Sequence, residues 1–275
     1  MKLWNKENNL DKKIEEFTVG NDRKYDMYLA KYDVIASIAH AKMLCKINIL
    51  TDEESTKIIN TLNNIFKNIE SENFNIGNGF EDIHSKIESL LIDELGNIGK
   101  KIHTGRSRND QVLVATQLFL KNEINEIKKL TIKLFNTLID LAETNKNELL
   151  PGYTHLQVAM PSSFGLWFSS YAENLIDDIL YLKTAYEINN QNPLGSGAGY
   201  GSSFKIDRNF TTKELDFGDL KYNVVSAQMS RGKVEKSVII AINSIASTLS
   251  RLSSDICFYM TQELNFISFP EEITT

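Results

Sequence analysis

The stretch His103-Thr104-Gly105-Arg106-Ser107-Arg108-Asn109-Asp110-Gln111 gathers cations, a carboxylate, a hydroxyl and carboxamides in one short run. From Arg106 to Leu150 the chain has neither Gly nor Pro, the residues that most often interrupt helices, so a very long helix is expected there. Asn109 and Asp110 are suited to cap it. The arginines are out of place, because a helix N-terminus carries partial positive charge and disfavours cations. Two cations at such a point imply an anionic partner, a carboxylate or a phosphate.

A second chemical cluster lies between prolines, in Pro151-Gly152-Tyr153-Thr154-His155-Leu156-Gln157-Val158-Ala159-Met160-Pro161. The flanking prolines predict a stiff, defined loop. Thr154 and Gln157 are neutral hydrogen-bonding groups, and His155 titrates near neutrality. Taken alone, His155 fits a backbone hydrogen bond as readily as a proton-transfer role. Glu81-Asp82-Ile83-His84 reads as an acidic first helical turn with a histidine on the next face. The glycines of Asn192-Pro193-Leu194-Gly195-Ser196-Gly197-Ala198-Gly199-Tyr200-Gly201-Ser202-Ser203 do not form a phosphate loop, since no Gly-Lys-Ser/Thr follows. A mobile connector or close backbone packing is expected, with a small donor role for the N–H groups as the alternative.

The elements that position these groups are helical. Residues Tyr28 to Ile47 have helical apolar spacing, and Thr51 followed by three acidic residues starts a helix through Phe66. Residues 75 to 79 form a turn, and Glu81 to Leu95 a short helix. Two seams then alternate spacings of four and three. They are Leu120, Ile124, Ile127, Thr131, Leu134, Leu138 and Leu141, and Val238, Ile242, Ile245, Leu249, Leu252, Ile256 and Tyr259. Such seams belong to long helices packed at shallow angles. A third long helix runs from about Ser162 to Asn190, tolerating Gly165. Phe119, Phe135, Ile139, Ile239 and Ile240 flank the seams, and one seam cannot bury them all, so the helices contact more than one neighbour and the protein oligomerises. The expected fold is all-α: a small helical domain over 1–104, then a long-helix bundle over 105–275.

Composition excludes several functions. A chain of 275 residues, 42% hydrophobic, can bury a sizeable core. Its net charge of -6 disfavours a sequence-independent grip on nucleic acid. Two cysteines in apolar helical contexts, Cys45 and Cys257, read as buried free thiols. No Cys/His cluster has zinc-like spacing. There is no signal-peptide pattern and no bilayer-spanning run, so a cytoplasmic protein without membrane partners is expected.

Together these segments resemble argininosuccinate lyase, of the fumarase/aspartase superfamily. The resemblance rests on Glu81-Asp82-Ile83-His84-Ser85, on Lys101 to Gln111, on Pro151 to Gln157 and on Pro193 to Ala198, in the family's order and rough spacing. It implies cleavage of argininosuccinate to arginine and fumarate by β-elimination in arginine biosynthesis. By motif match, Asn109 and Thr154 bind the substrate, Ser107 and Arg108 support its carboxylates, and Gln157 and His84 are further site residues. His155 is the catalytic candidate, serving either the abstracted proton or the leaving nitrogen. The resemblance further implies no metal or organic cofactor, and a homotetramer whose subunits share active sites.

The chain also departs from the family. The signature loop Gly-Ser-Ser-x-Met-Pro-x-Lys-x-Asn does not occur in the 275 residues. The chain therefore reads as an N-terminal portion with an incomplete bundle, expected to be inactive by itself. Residues 17–23 do not match the family's N-terminal substrate segment cleanly. The family's Ser-x-Arg-Asp pattern becomes Met229-Ser230-Arg231-Gly232-Lys233, which keeps the arginine and loses the acid. Alternatives are a sister lyase, such as adenylosuccinate lyase, or a structural protein of the delta-crystallin kind.

Overall fold

The computed structural model describes residues 12–77 and 79–273. In chain order the helices are α1 (Lys12–Val19), α2 (Asp22–Lys46), α3 (Asp52–Glu70), α4 (Ile83–Leu95), α5 (Asn97–Lys100) and α6 (Arg108–Thr144). A hairpin of β1 (Leu149–Thr154) and β2 (Gln157–Ser163) follows, then α7 (Phe164–Asn189). The remainder holds β3 (Gln191–Asn192), α8 (Arg208–Glu214), β4 (Asp219–Leu220), α9 (Val224–Met229) and α10 (Lys233–Tyr259). The fold is helical as expected, with small strands added. No described helix is long and apolar enough to cross a membrane.

There are two compact units, one formed by the chain up to Asn122 with Asn189–Val234, the other by Glu123–Ile188 with Glu235 onward. The division of the sequence into 1–104 and 105–275 is a consecutive one. Each compact unit is instead built from two stretches, because α6 spans the junction at 122/123 and the chain returns to the first unit after α7.

In the first unit, α2 buries residues on nearly every side, including Ala30, Val34, Ala39, Ala41, Met43 and Leu44. Its alanines let neighbours approach closely, and its core partners are Ile58 and Leu62 of α3 and Ile83, Ile87 and Leu91 of α4. The start of α3 is a capping box: Glu54 N donates to Thr51 Oγ1, and Thr51 N donates to Glu54 Oε2. α4 starts two residues after Glu81, because the Asp82 carboxylate caps it by accepting from Ser85 N at 2.8 Å.

In the second unit, the Gly-free run becomes the later part of α6, a helix of 37 residues. At 1.5 Å per residue that is about 55 Å long. Its seam holds, with Ile124, Thr131 and Leu138 buried, although Leu141 is exposed. The α10 seam is turned by one residue at two points. Val238, Ile245, Leu252 and Tyr259 are buried, but Ala241 is buried where Ile242 was expected, and Ile242 and Leu249 are exposed. The seven-residue repeat itself is kept from Val238 to Tyr259, and the alternation from Val238 is three then four, which places Ala241 rather than Ile242 on the buried side. Gly165 permits a close approach: a Cβ there would lie 2.7 Å from Lys146 Cα and 2.8 Å from Ala142 O. Cys45 and Cys257 are free thiols, but neither is fully buried: Cys45 is half-buried and Cys257 is exposed.

A buried carboxylate joins α7 to α10. Asp178 is 3% exposed and accepts hydrogen bonds from Ser244 Oγ at 2.5 Å and Thr248 Oγ1 at 2.7 Å. Asp178→Ala is expected to destabilise the second unit by about 1–3 kcal/mol, since it leaves two hydroxyls to find weaker partners. Urea unfolding would show this as a lower midpoint, and an unchanged midpoint would remove the clamp from the stability account.

Candidate active site

The start of α6 is built differently from the cap expected at Asn109 or Asp110. Helical residues begin at Arg108, so Ser107 is the capping residue. Asn109 N donates to Ser107 Oγ at 3.3 Å, and Ser107 N donates back to Asp110 Oδ1 at 2.8 Å. Asp110 therefore serves the cap from the first turn. Its other oxygen accepts from Gly195 N at 2.9 Å and Gly197 N at 3.0 Å. The glycine-rich segment is thus packed, with residues 192–197 buried, and its N–H groups answer to Asp110 rather than to a ligand. Burial pushes the Asp110 carboxyl above its ordinary range, against the backbone donors and Arg106, which favour its charged form.

The two arginines of this segment divide their work. Arg106 is buried and donates from Nη1 to Ser37 Oγ at 2.9 Å. Arg108 pairs with the α4 cap through Nη1 to Asp82 Oδ2 at 2.8 Å, lies 3.6 Å from Glu81 Oε2, and donates from Nη2 to Ser85 Oγ at 2.7 Å. Arg108 is therefore ion-paired, whereas Arg106 has the carboxylates of Asp33, Asp110 and Glu88 near it without a direct ion pair.

Above this helix start lies a cavity of about 690 Å³. Arg106, Ser107, Arg108 and Asn109 form one wall, with Val112 a turn further along. Glu88 of α4, His103 and Arg231 complete it. Arg231 is exposed, and among the described residues no ion pair within 4.0 Å is seen for it or for Arg106, whose buried Nε has no hydrogen-bond partner, so these two lining guanidiniums can meet an anion. It sits in the turn between α9 and α10, where Gly232 has φ +78°. That left-handed conformation suits glycine.

His84 does not line this cavity. It is 3% exposed, inside the first unit, with Nδ1 2.9 Å from Asp33 Oδ1. Burial, the largest effect on both groups, disfavours their charges, but their mutual attraction outweighs it. Asp33 is held below its ordinary range by His84, Arg106 and Gln111, and His84 is raised by Asp33, Asp82 and Asp26.

Thr154, His155 and Gln157 belong to the second unit. The stiff loop expected there is an antiparallel hairpin, in which Pro151 pairs with Pro161 and Thr154 with Gln157. Both strands are edges, where proline is tolerated. The two-residue turn is His155-Leu156, with φ +52° and +60°. Two positive φ values suit the twist of a tight hairpin, but they usually call for Asn-Gly, and His-Leu carries no such turn signal. Thr154, His155, Leu156 and Gln157 are all exposed. The turn end of the hairpin is anchored by Tyr153, which pairs with Val158 and whose ring meets Phe258 edge-on at 5.6 Å and Phe266 at 6.5 Å.

The structure thus brings Ser107, Arg108 and Asn109 to one cavity, and Thr154, His155 and Gln157 to one turn. Sequence reasoning assigned no site role to Glu88 and His103. Glu88 lies one helical turn after His84, and His103 stands two residues before Gly105, which were the available signals. Among the described residues no group of three or more His, Cys, Asp or Glu side chains could hold a metal ion.

Residues 2–273 match the family described as "Lyase". A curated relative, argininosuccinate lyase of Bacteroides fragilis, is 51% identical over 274 residues, covering 100% of this chain and 61% of its own length. Argininosuccinate lyase of Thermotoga neapolitana is 43% identical, with 69% of its length covered. Among solved structures, EDDS lyase in complex with formate superimposes with a TM-score of 0.80 at 24% identity, over 90% of this chain and 50% of that one. The class II fumarase of Schistosoma mansoni gives 0.73 at 18% identity, over 90% of this chain and 61% of that one. These two likenesses concern the fold alone. The chain spans 61% of the length of the Bacteroides relative.

Proposed function

Because the chain belongs to the argininosuccinate lyase family of the fumarase/aspartase superfamily, we propose that it cleaves argininosuccinate to arginine and fumarate in arginine biosynthesis. The observation that carries this reading is the cavity at the start of α6, lined by Ser107, Arg108, Asn109 and Arg231. Donors and guanidinium groups converge there on a helix N-terminus, as a dicarboxylate requires.

In the elimination, a proton leaves the carbon beside a carboxylate, and the electron pair of that C–H bond forms the new C=C bond. The C–N bond breaks, and its electrons leave with the guanidinium nitrogen, which gains a proton. Negative charge builds on the carboxylate oxygens before the C–N bond yields. Fixed donors aimed at those oxygens lower the barrier, and Ser107, Asn109 and Arg231 are suited to supply them. Arg108, already held by Asp82 and Ser85, supports this wall. We assign Thr154 and Gln157 to substrate binding and His155 to proton transfer. His84 supports the site from the interior, through Asp33, instead of touching the substrate. The chemistry calls for no cofactor, since the substrate carries its own leaving group.

A homotetramer with shared active sites, acting in the cytoplasm, fits this reading. Long helices expose apolar side chains, including Leu130 at 67%, Ile239 at 65% and Leu180 at 57%. Such ribs are suited to helices of other copies.

A substrate panel tests the assignment. The 275 residues would be joined to the C-terminal remainder of the Bacteroides fragilis relative, and the purified chimera offered argininosuccinate and adenylosuccinate separately. Arginine and fumarate are expected from the first and no fumarate from the second. Release from adenylosuccinate alone would move the protein to the sister activity.

A further inference from the structure

His103 and Glu88 line the cavity and are not explained by the roles assigned so far. His103 Nδ1 is buried, makes no hydrogen bond, and lies 3.6 Å from Glu88 Oε2. The Glu88 side chain is 14% exposed and that of His103 is 41% exposed, so with Nδ1 buried the exposed part of the His103 side chain lies away from that nitrogen. The backbone that carries the ring is held: Arg106 N donates to His103 O at 3.1 Å, and the adjacent Thr104 O meets His40 Nε2 at 3.0 Å. A neutral imidazole can donate from only one nitrogen, whereas an imidazolium donates from both.

We propose that His103, backed by Glu88, is a further ligand-binding residue of this cavity, and that it grips the ligand's carboxylate as an imidazolium, so that ligand binding takes up a proton. The proposal rests on reading the cavity as a dicarboxylate site. In it, Nδ1–H donates to Glu88 and Nε2–H donates to the ligand.

The charges facing His103 support the linkage. Arg106 and Arg108 stand at the start of α6, His40 comes from α2, Arg231 lines the same cavity, and Glu88 of α4 is the one carboxylate among the lining residues. Without a ligand, burial is the largest influence and holds the imidazole below its ordinary range. The two arginines add to this, and Glu88 only partly opposes it. A bound dianion reverses the local balance and favours the protonated ring. Glu88 prevents that charge from being stranded once the ligand covers it.

The test follows the imidazole itself. The protein has four histidines, so the signals of a chain labelled at the imidazole carbons can be assigned with His103→Gln. The titration of His103 would be recorded by NMR with and without saturating fumarate. Fumarate is expected to raise the His103 pKa by about one unit or more, which corresponds to about tenfold tighter fumarate binding below the two values than above them. His103→Gln should flatten that pH dependence, and Glu88→Gln should lower the His103 pKa in both states. Fumarate binding with an unmoved His103 titration overturns the inference and leaves the lyase reading intact. Absence of fumarate binding also overturns it, and the lyase reading is then decided separately by turnover of argininosuccinate.

Discussion

Replacing His84 with alanine is expected to destabilise the first unit by about 3–5 kcal/mol, the usual cost of leaving one partner of a buried ion pair uncompensated. Asp33 is 1% exposed, so its carboxylate would lose the imidazole without gaining water. Arg106 remains nearby, but it is also shared with Ser37 and Asp110. Against a typical total of about 5–15 kcal/mol, the loss is large. Urea unfolding of His84→Ala against the parent reads it directly, and a loss below about 1 kcal/mol would mean that the pair is not a buried ionic contact. The pH dependence carries a sign. His84 is raised in the folded chain, so its contribution is fully present below its unfolded pKa of about 6.5 and is lost as pH rises through the higher folded value. Asp33 is lowered, so its contribution is present above about 3.9 and is lost as pH falls through its folded value. Stability should therefore fall on both sides of that window. The alkaline fall should vanish in His84→Ala, and its persistence would place the titrating group elsewhere.

The second large effect concerns catalysis. His155→Ala, in the chimera carrying the 275 residues, is expected to lower kcat by about 100-fold or more, the usual contribution of a positioned proton-transfer group. KM should change far less, because substrate binding is assigned to Ser107, Asn109, Thr154 and Arg231. Steady-state rates separate the two. A rise in KM at constant kcat would make His155 a binding residue, and an unchanged rate would remove it from the mechanism. The hairpin should survive the change, since alanine removes only an exposed side chain and Tyr153 still anchors the strand next to the turn.

Local signals were read most fully where one physical rule dominated. Thr51 and Glu54 form the capping box that their spacing announces, and the Gly-free run becomes a single 37-residue helix. The cap of that helix was misplaced because Ser107, Asn109 and Asp110 are all good caps by type. The choice was made by Gly195 and Gly197, which claim the Asp110 carboxylate from far along the chain. The His155-Leu156 turn was hidden because neither residue advertises a left-handed backbone. From sequence, His84 reads as a histidine on the face next to an acidic first turn, and by resemblance as a site residue. Its true setting depends on Asp33, 51 positions away, a partner that no local pattern predicts. The cavity itself was legible in half: the arginine-rich helix start was visible, but its opposite wall of Glu88, His103 and Arg231 required the fold.

The central claim is that this site eliminates fumarate from argininosuccinate. The most direct measurement is the rise in ultraviolet absorbance of fumarate when the chimera, shown to be helical by circular dichroism, is mixed with argininosuccinate. A steady release is predicted, matched by equal arginine and cut about 100-fold by His155→Ala. No fumarate from a folded chimera at saturating argininosuccinate would contradict the account.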